Sequence, residues 1–109
     1  MIIHTGRAVP TFAEKWDPSD SDFIWFSWED RLNGEVIVGS SWIAPQGWTV
    51  SGEQMSATVT DSDGIQYTSV NGALFSTSET SGSHIISNRV TLSDGRVYER
   101  SVKVKVKQL

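Results

Sequence analysis

From His84 onward the chain alternates. Even positions carry His84, Ile86, Asn88, Val90 and Leu92, and beyond a turn Tyr98, Arg100, Val102, Val104 and Val106. Odd positions carry Arg89, Thr91, Glu99, Ser101, Lys103, Lys105 and Lys107. A period of two is the mark of a strand with one buried face, so the even row faces a core. The pattern also selects the turn. A two-residue Asp94-Gly95 loop sets even residues opposite odd ones and places Val90 across from Glu99. A three-residue loop, Ser93-Asp94-Gly95, pairs Val90 with Tyr98, Ile86 with Val102 and His84 with Val104, with Gly95 in the left-handed position of a bulge. The same register sets Asn88 opposite Arg100 on the core side. Buried polar groups need partners, so these two should bond each other, an inter-sheet carbonyl or an acid.

Upstream, Phe23-Ile24-Trp25-Phe26-Ser27-Trp28 reads as a strand with Ile24, Phe26 and Trp28 on one face and Phe23 and Trp25 on the other. Both faces are apolar, so this strand is covered on both sides or meets a partner. Asp17 to Asp22 is a proline-containing turn cluster. Asn33-Gly34 marks a turn into a strand from Val36 to Ile43, with Trp42 as its central core residue. Trp48 to Val50 and Ser56 to Thr60 are short extended pieces, and Asp61-Ser62-Asp63-Gly64 turns into Ile65 to Val70. Asn71-Gly72 is a second turn signal, followed by a short strand at Ala73 to Ser76 and a polar loop from Thr77 to Ser83. Trp28 to Leu32 has room for one helical turn. Residues 1–15 show no periodicity and contain Pro10, which gives an irregular N-terminal arm. About seven short antiparallel strands predict a single all-β, immunoglobulin-like sandwich over 15–109, with residues 1–14 as the arm. Its expected core holds Phe26, Trp42, Ile86, Asn88, Val90, Tyr98, Arg100, Val102 and Val104.

Composition agrees with this fold: 25 Ser and Thr and nine Gly stand in 109 residues. No cysteine is present, which removes disulfides, thiolate metal sites and thiol nucleophiles. There are two histidines and no Gly-x-Ser-x-Gly or glycine-rich phosphate motif. The sequence therefore points away from catalysis and from any cofactor or metal. Asp61-Ser62-Asp63-Gly64 begins like a calcium loop but lacks the later ligands, so it reads as turn chemistry. No apolar run approaches a membrane span, and the first residues do not form a secretion signal.

Charge is uneven. Between Glu14 and Glu35 seven acids face Lys15 and Arg31, whereas Arg96, Arg100, Lys103, Lys105 and Lys107 face Glu99 near the end. A net charge of −4 argues against nucleic acid. An acidic front and a basic back suit head-to-tail contact with copies or neighbours. Five tryptophans exceed what a small core needs. Trp25 and Phe23 are candidates for an interface, for burial under the arm, or for a sugar-stacking platform.

Three pieces, in order, resemble a known family. They are Lys15-Trp16-Asp17-Pro18-Ser19-Asp20 with Ile24-Trp25-Phe26-Ser27-Trp28 and Leu32, then Ser41 to Val50, then Ser87-Asn88-Arg89-Val90-Thr91 with Gly95-Arg96 and Arg100-Ser101. Together they are similar to the small tailed-phage virion proteins described as fibre–tail adaptors. The chain departs from that pattern at Trp16, Ala44, Trp48 and the polar segment Phe75 to Ser78. The resemblance implies a non-enzymatic virion protein, assembled in the bacterial cytoplasm, that links tail or baseplate to tail fibre. Its expected partners are other phage structural proteins and copies of itself, with no nucleic acid, membrane or small-molecule substrate. A capsid decoration protein and a Trp-dependent carbohydrate-binding module are the competing classes. The expected partner surface comprises Ile2, Ile3, Val9 and Phe12 of the arm, with Trp16, Phe23, Trp25, Lys103, Lys105 and Lys107.

Overall fold

The computed structural model describes residues 2–4 and 14–107. Eight strands and one helical turn follow in the order β1 (Ile2–His4), β2 (Glu14–Trp16), β3 (Ser21–Ser27), α1 (Glu29–Leu32), β4 (Ile37–Ile43), β5 (Trp48–Thr60), β6 (Gln66–Thr77), β7 (Ser81–Leu92) and β8 (Val97–Lys107). They form two four-stranded sheets, β1-β3-β6-β5 and β2-β8-β7-β4. The fold is an all-β, immunoglobulin-like sandwich, as the alternation implies.

The β7–β8 hairpin has the register expected from side-chain parity: Val90 faces Tyr98, Asn88 faces Arg100 and Ile86 faces Val102. Leu92 N–H donates to the Arg96 carbonyl at 2.8 Å, and Gly95 takes φ 92°. These close the three-residue loop. The helical turn forms where expected and ends on Asn33 in the left-handed region.

The N-terminal segment differs from the irregular arm expected. β1 pairs in parallel with β3, Ile3 beside Trp25, and β2 pairs in parallel with β8, Lys15 beside Lys105. One short piece therefore closes one edge of each sheet, and β2 crosses the boundary expected at residue 14. Three-residue strands are too short to show a period, so only the edges they meet reveal them.

Asn71-Gly72 is not a turn. β6 runs unbroken through it, and Gly72 stands opposite Trp25 on β3. A Cβ on Gly72 would lie 2.0 Å from Trp25 Cε3. The glycine is there to let the indole lie flat on the strand, not to reverse the chain. β5 is likewise continuous past Gly52, with bulges where Gly52 and Ser56 take φ of 58° and 55°.

The core differs in which tryptophan sits at its centre. Trp28 is 1% exposed and Trp16 3%, whereas Trp42 and Tyr98 are half-buried and pack against the cluster from its margin. Ile24, Phe26, Phe75, Ile86, Val90, Val102 and Val104 fill the interior. Trp42 still joins the sheets, with ring centroids 5.6 Å from Phe26 and 5.4 Å from Phe75.

Candidate functional site

Two polar side chains sit in the middle of the apolar interior, brought there by the even row of β7 and β8. Asn88 uses all four of its hydrogen-bonding positions. Its Oδ1 accepts from Trp28 Nε1 at 3.0 Å and Asn71 Nδ2 at 3.1 Å. Its Nδ2 donates to Ser40 Oγ at 2.9 Å and the Ser41 carbonyl at 3.0 Å. Arg100, 2% exposed, donates from Nη1 to the Ser27 carbonyl and from Nη2 to both Asp30 oxygens at 2.7 and 2.6 Å. Its guanidinium carbon lies 4.7 Å from the Trp28 ring centroid. Ser27 ends β3 of one sheet, with Trp28 just beyond it, and Asn88 and Arg100 belong to the other sheet, so the polar groups tie the layers together. The partners are those expected in kind, an inter-sheet carbonyl and an acid. Asp30 and Asn71 were not legible as partners, because only the fold brings them to the hairpin.

Both polar atoms of Asn88 are engaged, and Arg100 is held on three acceptors through its Nη atoms, while its Nε is buried without a hydrogen-bond partner among the described residues. Among the described residues no three His, Cys, Asp or Glu side chains are placed to hold a metal ion. Asp61 Oδ1 accepts from Asp63 N–H and Ile65 N–H, both at 2.9 Å, as the turn reading requires. His84 is half-buried, its Nε2 3.2 Å from the Ser81 carbonyl. An open pocket at the α1 end is lined by Ser27, Glu29, Asp30 and Tyr67. There Thr68 donates through N–H and Oγ to Glu29, which holds that carboxyl below its ordinary range. Desolvation and the bond to Asp61 raise Tyr67. The Glu29 contact ties α1 to β6, and the Tyr67 bond closes the turn between β5 and β6.

The expected partner residues are not one surface. Trp16 is a core residue whose ring centroid lies 5.4 Å from Trp48, so it faces no partner. Trp25 is 7% exposed, stacked on half-buried Phe23 at 5.1 Å and 13°. Within this chain it is already covered. None of the five tryptophans is exposed, which leaves no ready sugar platform. Ile2 and Ile3 lie in β1, and Val9 and Phe12 fall outside the described residues. Lys103, Lys105 and Lys107 do share the outer face of their sheet, and the β2–β8 pairing adds Lys15 beside Lys105. The same pairing corrects the front-and-back division of charge. The acidic stretch begins beside the basic strand, not opposite it, because residues 14–16 run alongside 104–106.

With the geometry in place, comparison with known proteins settles the family. Residues 17–105 match the family model described as podophage GP4 fiber-tail adaptor protein gp77. The chain belongs to this family. No curated protein matches it significantly. Among solved structures, the crystal structure of the cysteine protease inhibitor EhICP2 from Entamoeba histolytica superposes with a TM-score of 0.54 at 11% identity, covering 97% of this chain and 95% of that one. The solution structure of the PKD domain from KIAA 1837 protein gives a TM-score of 0.48 at 18% identity, covering 88% and 80%. At such identities the inhibitor likeness concerns the fold alone. The adaptor family places this chain among structural proteins of the phage virion.

Proposed function

We propose that this protein joins the phage tail or baseplate to the tail fibre and acts by protein–protein contact, without catalysis. The family match over residues 17–105 carries the reading. The interior supports it, since Asn88 and the two Nη atoms of Arg100 are bonded across the two layers. A body of this kind offers rigid faces and edges to its neighbours. The outer face carrying Lys15, Lys103, Lys105 and Lys107 is one such contact, suited to an acidic patch on a neighbouring virion protein or another copy. Exposed pairs contribute about 0.2–1 kcal/mol each and weaken with salt, so this face orients and steers more than it binds.

The deciding experiment is a phage deleted for this protein, with particles imaged and their proteins identified by mass spectrometry. Intact tails lacking fibres are expected. Fibres retained at normal number would overturn the linking role, and loss of head stability with fibres in place would point to decoration. Charge reversal at Lys103, Lys105 and Lys107 should leave the sandwich folded while lowering incorporation into particles, most strongly at low salt. The N-terminal residues bear on assembly differently from a free arm. Removing residues 1–12 uncovers the β3 edge that β1 pairs with, so stability should fall together with incorporation.

A further inference from the structure

Among the described residues, three of the four outer strand edges carry a device against further pairing. β1 covers the middle of β3, and β2 covers the lower end of β8. β5 is open, but its bulges, with Gly52 and Ser56 at φ 58° and 55°, bend it away from a regular ladder. β4 is different. From Val36 to Ile43 it has no charged residue and no proline, and its one irregularity is at Val38. Val36, Val38 and Ile43 are 60%, 58% and 45% exposed. Natural edges are usually guarded by lysine, proline or bulges, and this one is nearly bare. Beside it, between β4 and β5, runs a groove of about 310 Å³ lined by Val38, Gly39, Ser40, Glu53, Gln54 and Met55. Met55 is 47% exposed.

We propose that the β4 edge is a strand-acceptor site: an extended segment of another virion protein adds to the sheet alongside Ile37–Ile43, seats an apolar side chain between Val38 and Met55, and sets a Lys or Arg against Glu53. The inference rests on the adaptor reading and specifies how one partner is held. Main-chain hydrogen bonds to the edge supply affinity, and the groove selects alternate side chains of the incoming strand. Among the described residues Glu53 is the one charged side chain lining the groove, so a basic residue on the segment complements it. That charge also disfavours a second copy. Glu53 lies beside Gly39 and Ser40, the middle of β4, so two-fold β4–β4 pairing brings two Glu53 carboxylates together. The edge is also short. Seven residues at ~3.3 Å each span about 23 Å, too little for the ~800 Å² per partner of a stable free dimer. A segment already held nearby in the particle needs far less area, because its effective concentration is high.

Hydrogen exchange followed by mass spectrometry, on the free protein and on purified particles, tests this. Peptides covering residues 36–43 should exchange at least tenfold more slowly in particles, through the alternate amides that point away from β7. The V38K/I43K double variant places lysine at two exposed edge positions. It should keep a wild-type circular-dichroism spectrum and lose at least tenfold in incorporation, whereas I65K, exposed on a distant turn, should incorporate normally. Equal exchange in free protein and particles overturns the proposal, as does normal incorporation of V38K/I43K. Slowing that appears in the free protein as its concentration rises shows a second copy on the edge and overturns the heterologous partner. If the wild-type protein is absent from particles, the adaptor reading fails and this inference with it. Presence without protection at 36–43 sinks the strand-acceptor site alone.

Discussion

Replacing Gly72 by alanine adds three heavy-atom contacts that do not fit. The new Cβ would stand 2.0, 2.3 and 2.6 Å from Trp25 Cε3, Cζ3 and Cδ2, where ordinary carbon contacts begin near 3.5 Å. Gly72 is not at positive φ, so alanine meets no backbone penalty and the whole cost is this collision. The ring has little freedom to yield, being 7% exposed and stacked on Phe23. If the sheet gives way locally, overpacking costs about 1–3 kcal/mol. If the indole is expelled, it loses ~150–250 Å² of burial, about 4–6 kcal/mol at ~25 cal/mol per Å². Gly72→Ala should therefore lose about 3 kcal/mol in urea unfolding and roughly 10–15 °C in melting temperature. The mechanism is tested by repeating the substitution in a Trp25→Leu background. With the ring gone, Gly72→Ala should be neutral or stabilising by about 0.5–1 kcal/mol, the usual gain for alanine over glycine in a strand. An equal loss in both backgrounds would refute the argument that Trp25 dictates the glycine.

Three other outcomes follow from the interior and the turns. Asn88→Leu keeps the branched shape but strands Trp28 Nε1, Asn71 Nδ2 and the Ser41 carbonyl, so chemical denaturation should show a loss of about 3 kcal/mol or more. Arg100→Lys cannot bridge the Ser27 carbonyl and Asp30 together and should cost about 2 kcal/mol, whereas Arg100→Met, which buries no charge, should cost less. The hydrogen bonds from Thr68 lower the Glu29 carboxyl, and those from Arg96 lower Asp94. A lowered carboxyl stabilises fully above its ordinary range and loses that contribution as pH falls through its folded value. Glu29→Gln should accordingly lower the melting temperature at neutral pH and flatten its decline on acidification, the two proteins converging in acid.

The hairpin was legible in the sequence because one alternating row from His84 to Val106, broken only by the turn, admits a single register. It also announced that Asn88 and Arg100 would be buried. The partners of those residues were not legible, since Asp30 and Asn71 reach them only through packing of one sheet on the other. Asn71-Gly72 misleads for a related reason. The dipeptide is a turn signal locally, and the contact that explains it comes from Trp25, some fifty residues away. Trp42 and Trp28 carry the same chemical signal, and only depth in the sandwich separates centre from margin. The candidate surface fared least well. Trp16 looked like excess aromatic surface because its strand is three residues long, and the bare β4 edge is visible only once the other edges are seen to be covered.

The pairing of β2 with β8 also dictates when the molecule can be finished. Trp16 precedes by about ninety residues the strand it packs beside, which includes Val104 to Val106. Joining them closes a loop of that length, an entropic cost met only after β8 exists. A nascent chain must therefore carry an uncovered indole until β8 has been synthesised. Chains that stop short of β8, whatever sheet they have built, lack both the closed edge and the filled core and have no finished body to offer the assembling virion.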